Sequence, residues 1–200
     1  GIDRSTIGYL TWVGWIYAFK WVWAPLVDRL PIPLLTKLFG RRRSWLLFAQ
    51  TLIILGLLGM SSVDPQLSLN VVVWCALLVA FGSATQDIAL DAFRIESAQS
   101  DYQAALAATY QTGYRLALIW SGAGVLWLAA RAETASGSYD PGAWQFAYVC
   151  MAASIGVGVI TTLLSKEPAR VELPKARNAK AWLHQTLIEP FADRKSTRLN

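Results

Sequence analysis

The sequence predicts an all-α membrane protein, and three observations carry that prediction. Hydrophobic residues make up 54% of the 200 residues and charged residues only 16%, a balance unlike that of an ordinary soluble domain. Apolar runs of about 20 residues, long enough to cross a hydrocarbon core, recur along the chain. The basic residues behind the formal net charge of +5 lie in connectors between those runs. Membrane topology therefore accounts for them better than a nucleic-acid partner would.

The elements follow in order. After a short polar entry at Gly1–Thr6, a Trp- and Tyr-rich apolar segment runs from Ile7 to Val27 and is interrupted only by Lys20. Asp28-Arg29 ends it, and Leu30–Phe39, with Pro31 and Pro33, reads as a turn-rich connector. Gly40-Arg41-Arg42-Arg43 precedes a second span from Trp45 to about Ser61, and Asp64-Pro65 makes a polar turn. The third span runs from Leu69 to about Ala92, followed by a polar loop, Glu96–Tyr102, in which Asp101 is expected to act as a cap. The fourth, Ala104–Ala130, is polar in its first half, and Gly113, Ser121, Gly122 and Gly124 are expected to permit close helix approach. Trp144–Leu164 is the fifth. Lys166–Lys180 reads as a solvated basic linker and Trp182–Phe191 as an amphipathic helix on the membrane surface.

Orientation follows from the same basic residues. Arg29, Lys37 and Arg41–Arg43 occupy the first connector, Arg94 the third, and Lys166, Arg170, Lys175, Arg177 and Lys180 the tail; the alternate connectors offer Arg4 and Arg131. The positive-inside rule puts residues 28–43 and 166–200 in the cytosol.

The chemistry concentrates in Gln86-Asp87-Ile88-Ala89-Leu90-Asp91-Ala92-Phe93-Arg94-Ile95-Glu96. Helical steps of three and four put Asp87, Asp91 and Arg94 on one face. Acids inside an apolar helix are costly and mark a solute or proton path. Two carboxylates one turn apart in a low dielectric do not both ionise unless bases neutralise them. Arg94 and Lys20 are the bases in reach. Lys20 either snorkels to the interface or faces the bundle and pairs with an acid such as Asp87. Asp91 either joins that exchange or pairs with Arg94. Arg115, about 16 Å into its span, is too deep to snorkel, so it pairs with an acid or binds an anionic solute. Gln111, one turn earlier, can hydrogen-bond a sugar or amide. Tyr110, Tyr114 and Trp120 either stack on sugars or serve as packing.

Other functions find little support. The sole histidine, His184, lies in the tail, so neither histidine catalysis nor a zinc site can be built in the spans. Asp-x-x-x-Asp can hold a metal on a helix, but the Asp-x-x-Asp-Gly of membrane phosphotransferases is lacking, and so is a Walker-type phosphate loop. Cys75 and Cys150 read as small hydrophobes. No cofactor, catalytic residue or metal ligand is expected. An intramembrane enzyme and a non-transporting membrane subunit remain the rival classes.

Asp28-Arg29 followed by Gly40-Arg41-Arg42-Arg43 resembles the signature loop of the major facilitator superfamily, Gly-x-x-x-Asp-Arg-x-Gly-Arg-Arg. It departs in having Ala24 at the leading glycine and ten residues between Arg29 and Gly40. The run from Lys20 to Arg29, the Gln86–Glu96 stretch, Tyr110-Gln111-Thr112-Gly113-Tyr114-Arg115 and Ser121-Gly122-Ala123-Gly124 are together similar to the AmpG-type muropeptide permeases and their acetyl-CoA-transporter relatives. The resemblance covers Ile7 to about Phe191 and implies a partial major-facilitator bundle: five transmembrane helices of an expected twelve. Residues 1–165 would be helices two to six, residues 166–193 the start of a central cytosolic loop, and residues 194–200 a non-native tail. A first helix and a second half of the same polypeptide are expected elsewhere. The implied function is proton-coupled import of sugar-peptide anions across the inner membrane, with acetyl-CoA or another bulky anion as the alternative solute. Asp87, Asp91, Arg94, Arg115, Lys20, Gln86 and Gln111 would serve coupling or solute binding. Asp28, Arg29, Gly40, Arg41 and Arg42 would form a conformational gating loop.

Overall fold

A computed structural model describes residues 14–133 and 140–169, which are helical with intervening turns and contain no strand. The surface helix expected at 182–191 and the tail at 194–200 lie outside the described residues, as do the first third of the first span and most of the linker. Seven α-helices have described bounds: α1 (Ala24–Arg29), α2 (Leu35–Phe39), α3 (Arg41–Ser61), α4 (Leu69–Ser97), α5 (Gln103–Ile119), α6 (Val125–Ala132) and α7 (Pro141–Leu164). Of these, α3, α4 and α7 are long and apolar enough to cross a membrane.

Eight of the eleven buried hydrophobic residues among those described are alanines, and many large apolar side chains lie outside. Ala49, Ala80, Ala84, Ala89, Ala129, Ala143, Ala147 and Ala152 are buried, while Trp74, Trp127, Phe146, Val157 and Ile160 are exposed. Water-soluble packing puts large apolar side chains inside. In lipid the outside is equally apolar, and helices associate through small residues that let backbones approach. The seam of α3 and α4 shows this. A Cβ on Gly82 would lie 3.0 Å from the carbonyl oxygen of Ala49, and one on Gly56 would lie 3.0 Å from that of Cys75. The other face of α3 packs on α7, and α6 packs on α7 as well.

The first span is not one regular helix. Residues 14–18 are α-helical, Lys20–Val22 form a 3-10 turn, and α1 resumes at Ala24. Pro25 explains the interruption: it has no N–H to donate to the carbonyl of Trp21, and its ring crowds that carbonyl. The chain tightens instead, Val22 N–H donating to the Phe19 carbonyl at 2.9 Å. α1 is then anchored by Val27, which is fully buried in a cluster with Leu46 of α3 and Ala89 of α4.

Two other sequence expectations, the Asp101 cap and the end of the third span, need correction. The fourth span runs on from α5 through a π-helical turn, Trp120–Gly124, into α6. Gly113 and Gly122 face open space among the described residues, and a Cβ on Gly124 would meet only the Trp120 ring. Among the described residues, close approaches to a neighbouring backbone fall at Gly56 and Gly82. Asp101 does not cap α5: it accepts from the Ser100 hydroxyl at 3.2 Å, while the Gln103 amide donates to the carbonyls of Ile95 and Ala98, covering the end of α4. The third span also runs past Ala92 to Ser97, which carries Glu96 inside the helix.

Candidate functional site

The 3-10 turn and α1 run alongside α4, and a polar seam joins them. The Tyr17 hydroxyl donates to the Ser83 hydroxyl. Lys20 Nζ lies 3.7 Å from Asp87 Oδ2, and the Trp23 indole N–H donates to Thr85 Oγ1 at 3.2 Å. Thr85 is fully buried. The Lys20–Asp87 pair is only partly covered, its side chains 40% and 32% exposed. One turn along α4, Arg94 Nη2 lies 3.5 Å from Asp91 Oδ1, and its guanidinium stands over the Tyr110 ring of α5, 5.8 Å from the centroid. Two acids one turn apart on α4 are thus flanked by two bases, Lys20 from the first span and Arg94 from α4 itself, each acid with its own base. Gln86 Oε1 and Arg94 Nε are buried without a hydrogen-bond partner.

A second cluster forms where α1 ends and α3 begins. Gly40 is the hinge of the chain there, with φ 89°, a conformation that side chains with a Cβ avoid. Arg42, 5% exposed, places Nη1 2.7 Å from Asp28 Oδ1 and Nε 3.0 Å from Glu96 Oε2, while Nη2 donates to Glu96 Oε1. The guanidinium therefore grips Glu96 with two parallel bonds and spends a third on Asp28, tying α1, α3 and α4 at one point. Arg41 adds Nη2 at 3.2 Å from Glu96 Oε1.

The same end is fastened to α7 from both sides. The Glu167 carboxylate accepts from the backbone N–H groups of Arg42 at 2.8 Å and Arg43 at 3.2 Å. It thereby satisfies two of the open donors at the start of α3, where the helix dipole also favours an anion. Arg43 reciprocates, donating from Nε to the Thr162 carbonyl at 2.9 Å and from Nη2 to that of Leu163, where α7 has carbonyls to spare. A Cβ on Gly40 would collide with the Glu167 side chain. Higher up the same seam, Gln50 Nε2 donates to Thr162 Oγ1 at 3.1 Å, both residues buried.

The expected residues thus divide. Lys20, Asp87, Asp91 and Arg94 share one ridge, with Gln86 beside it. Asp28, Gly40, Arg41 and Arg42 share the basic end, where Arg29 closes α1. Gln111 and Arg115 are exposed on α5, and Arg115 has no ion pair with another described residue, so the acid partner allowed for it is not found there. Glu96 and Glu167 were not among the expected site residues, although they hold the basic end together. Glu96 stood within the quoted motif, but Glu167 could be signalled only by being the first acid after an apolar run.

Over 193 residues, 96% of this chain, the sequence is 36% identical to the anhydromuropeptide permease of Escherichia coli K12. The chain belongs to the AmpG-type permeases of the major facilitator superfamily. It is also 34% identical, over 96% of its length, to AmpG 4 of Rickettsia felis, and 32% identical over 86% to AmpG 3 of Rickettsia typhi. It covers 35%, 44% and 38% of those relatives respectively. No family model matches the chain, and no solved structure matches it. Permease kinship and the inside-out distribution of apolar residues make it a multi-pass membrane protein.

Proposed function

We propose that the chain is part of a proton-coupled importer of anhydromuropeptides in the inner membrane. Residues 28–43 and 166–200 would face the cytosol. The solute reading rests on the similarity to the anhydromuropeptide permease of E. coli. The coupling reading rests on one observation, an acid inside an apolar helix held by a lysine from the neighbouring span at 3.7 Å. A contact so long and half-open is readily exchanged for a proton as exposure alternates between the two sides. In this reading Asp87 loads the proton with Lys20 as its countercharge, Asp91 and Arg94 are the adjoining pair, and Arg115 with Gln111 meets the anionic and amide groups of the solute. Asp28, Arg29, Gly40, Arg41 and Arg42 brace the cytosolic ends. The second half of the permease completes the cavity.

The test is uptake of labelled anhydromuropeptide by vesicles carrying the intact permease, with and without an imposed proton gradient. Uptake that follows the gradient supports the proposal, and uptake indifferent to it removes the coupling. If muropeptide is refused and acetyl-CoA carried, the solute becomes a different bulky anion.

A further inference from the structure

Tyr17, Lys20 and Trp23 are spaced three residues apart, and all three reach α4, at Ser83, Asp87 and Thr85. A three-residue spacing drifts round a regular α-helix by 60° at each step but stays on one face of a 3-10 helix. The 3-10 turn falls at Lys20–Val22, between the second and third of these contacts. Its position follows from Pro25, the second residue of α1. Beyond Pro25 the chain is fixed by fully buried Val27, so a change in winding before Pro25 must swing Lys20 rather than α1.

We propose that Pro25 is a positioning residue for the Lys20–Asp87 pair: by withholding one backbone N–H it winds the preceding turn as 3-10 and points the lysine at the carboxylate. The charged and titratable groups around Asp87 are Lys20 and Tyr17 on the first span, Asp91 on α4 itself and Tyr110 on α5. Of these, only the two on the first span depend on that winding. Pro25→Ala restores the N–H and lets the turn relax to α. Rewinding three residues turns Lys20 away from its present direction by about 60° relative to α1. The functional half of this inference rests on the proposed coupling role of Asp87, whereas the geometric half does not.

The test uses the intact permease, with Lys20→Cys and Asp87→Cys introduced after replacing Cys75 and Cys150 by serine, and a short bifunctional thiosulfonate as probe. The cross-link is expected to form with Pro25 present and to fall at least fivefold with Pro25→Ala. An equal yield in both overturns the proposal. Gradient-driven uptake is measured separately for Pro25→Ala, Lys20→Met and the double variant. If the proline acts through the lysine, the two losses do not multiply; multiplicative losses overturn that route. A fivefold fall in cross-linking with uptake intact in Lys20→Met and Pro25→Ala alike leaves the positioning role standing and removes the coupling reading instead. Pro25→Ser, which restores the same N–H, serves if Pro25→Ala fails to reach the membrane.

Discussion

The two charged clusters use the same residue types and are built in opposite ways. At the basic end, Arg42 is buried, grips Glu96 with two bonds and Asp28 with a third, and α3 and α7 cap each other through Glu167 and Arg43. On the ridge, Lys20 and Asp87 meet through one long contact with both side chains partly open. Burial and bidentate geometry make an ion pair expensive to break; exposure and a single flexible contact make it cheap. The first is a fastener among the helices of this chain. The second can change partners without unfolding anything, which is what a carboxylate that takes up a proton requires.

Substitutions break or sharpen this contrast. Arg42→Met should have the largest effect on stability, because it leaves Glu96 and Asp28 without their shared cation. A loss of about 3–5 kcal/mol is expected, read from denaturant titration of the intact permease in detergent micelles. A loss below about 1 kcal/mol, ordinary for a surface pair, would mean that the cluster is no fastener. Gly40→Ala forces a Cβ into a left-handed conformation and against Glu167, and should cost about 1–3 kcal/mol. Glu167→Ala removes a carboxylate cap from α3 and should cost about 1 kcal/mol, with faster amide exchange at Arg42 and Arg43. Lys20→Met should come last, changing stability by about 0–1 kcal/mol while impairing gradient-driven uptake. A stability loss as large as that of Arg42→Met would erase the distinction between the clusters.

The contrast was partly legible in the sequence. A lysine and two acids inside apolar runs stand out because lipid tolerates so few, and the helical period puts Asp87, Asp91 and Arg94 on one face without any structure. The basic loop was equally plain as a charge cluster. Its fastening was not, because Glu167 follows Arg42 by 125 residues and nothing in its neighbourhood marks it as a cap for another helix. The break in the first span was not legible for a different reason. Apart from Lys20 its composition is apolar throughout, and composition does not register the single missing N–H of Pro25 that rewinds the turn carrying Lys20. Gly56 and Gly82 were not legible as close contacts either: small size permits a close approach but does not say where one occurs.

The central claim, that Asp87 is a coupling carboxylate and not a structural one, is tested most directly by comparing two transport modes of Asp87→Asn in proteoliposomes. Solute exchange between two pools at equal pH needs no net proton movement; accumulation driven by a proton gradient does. The account predicts that Asp87→Asn exchanges labelled anhydromuropeptide at close to the wild-type rate but no longer accumulates it. Accumulation at the wild-type level, or loss of both modes together in a protein that remains folded, would contradict it.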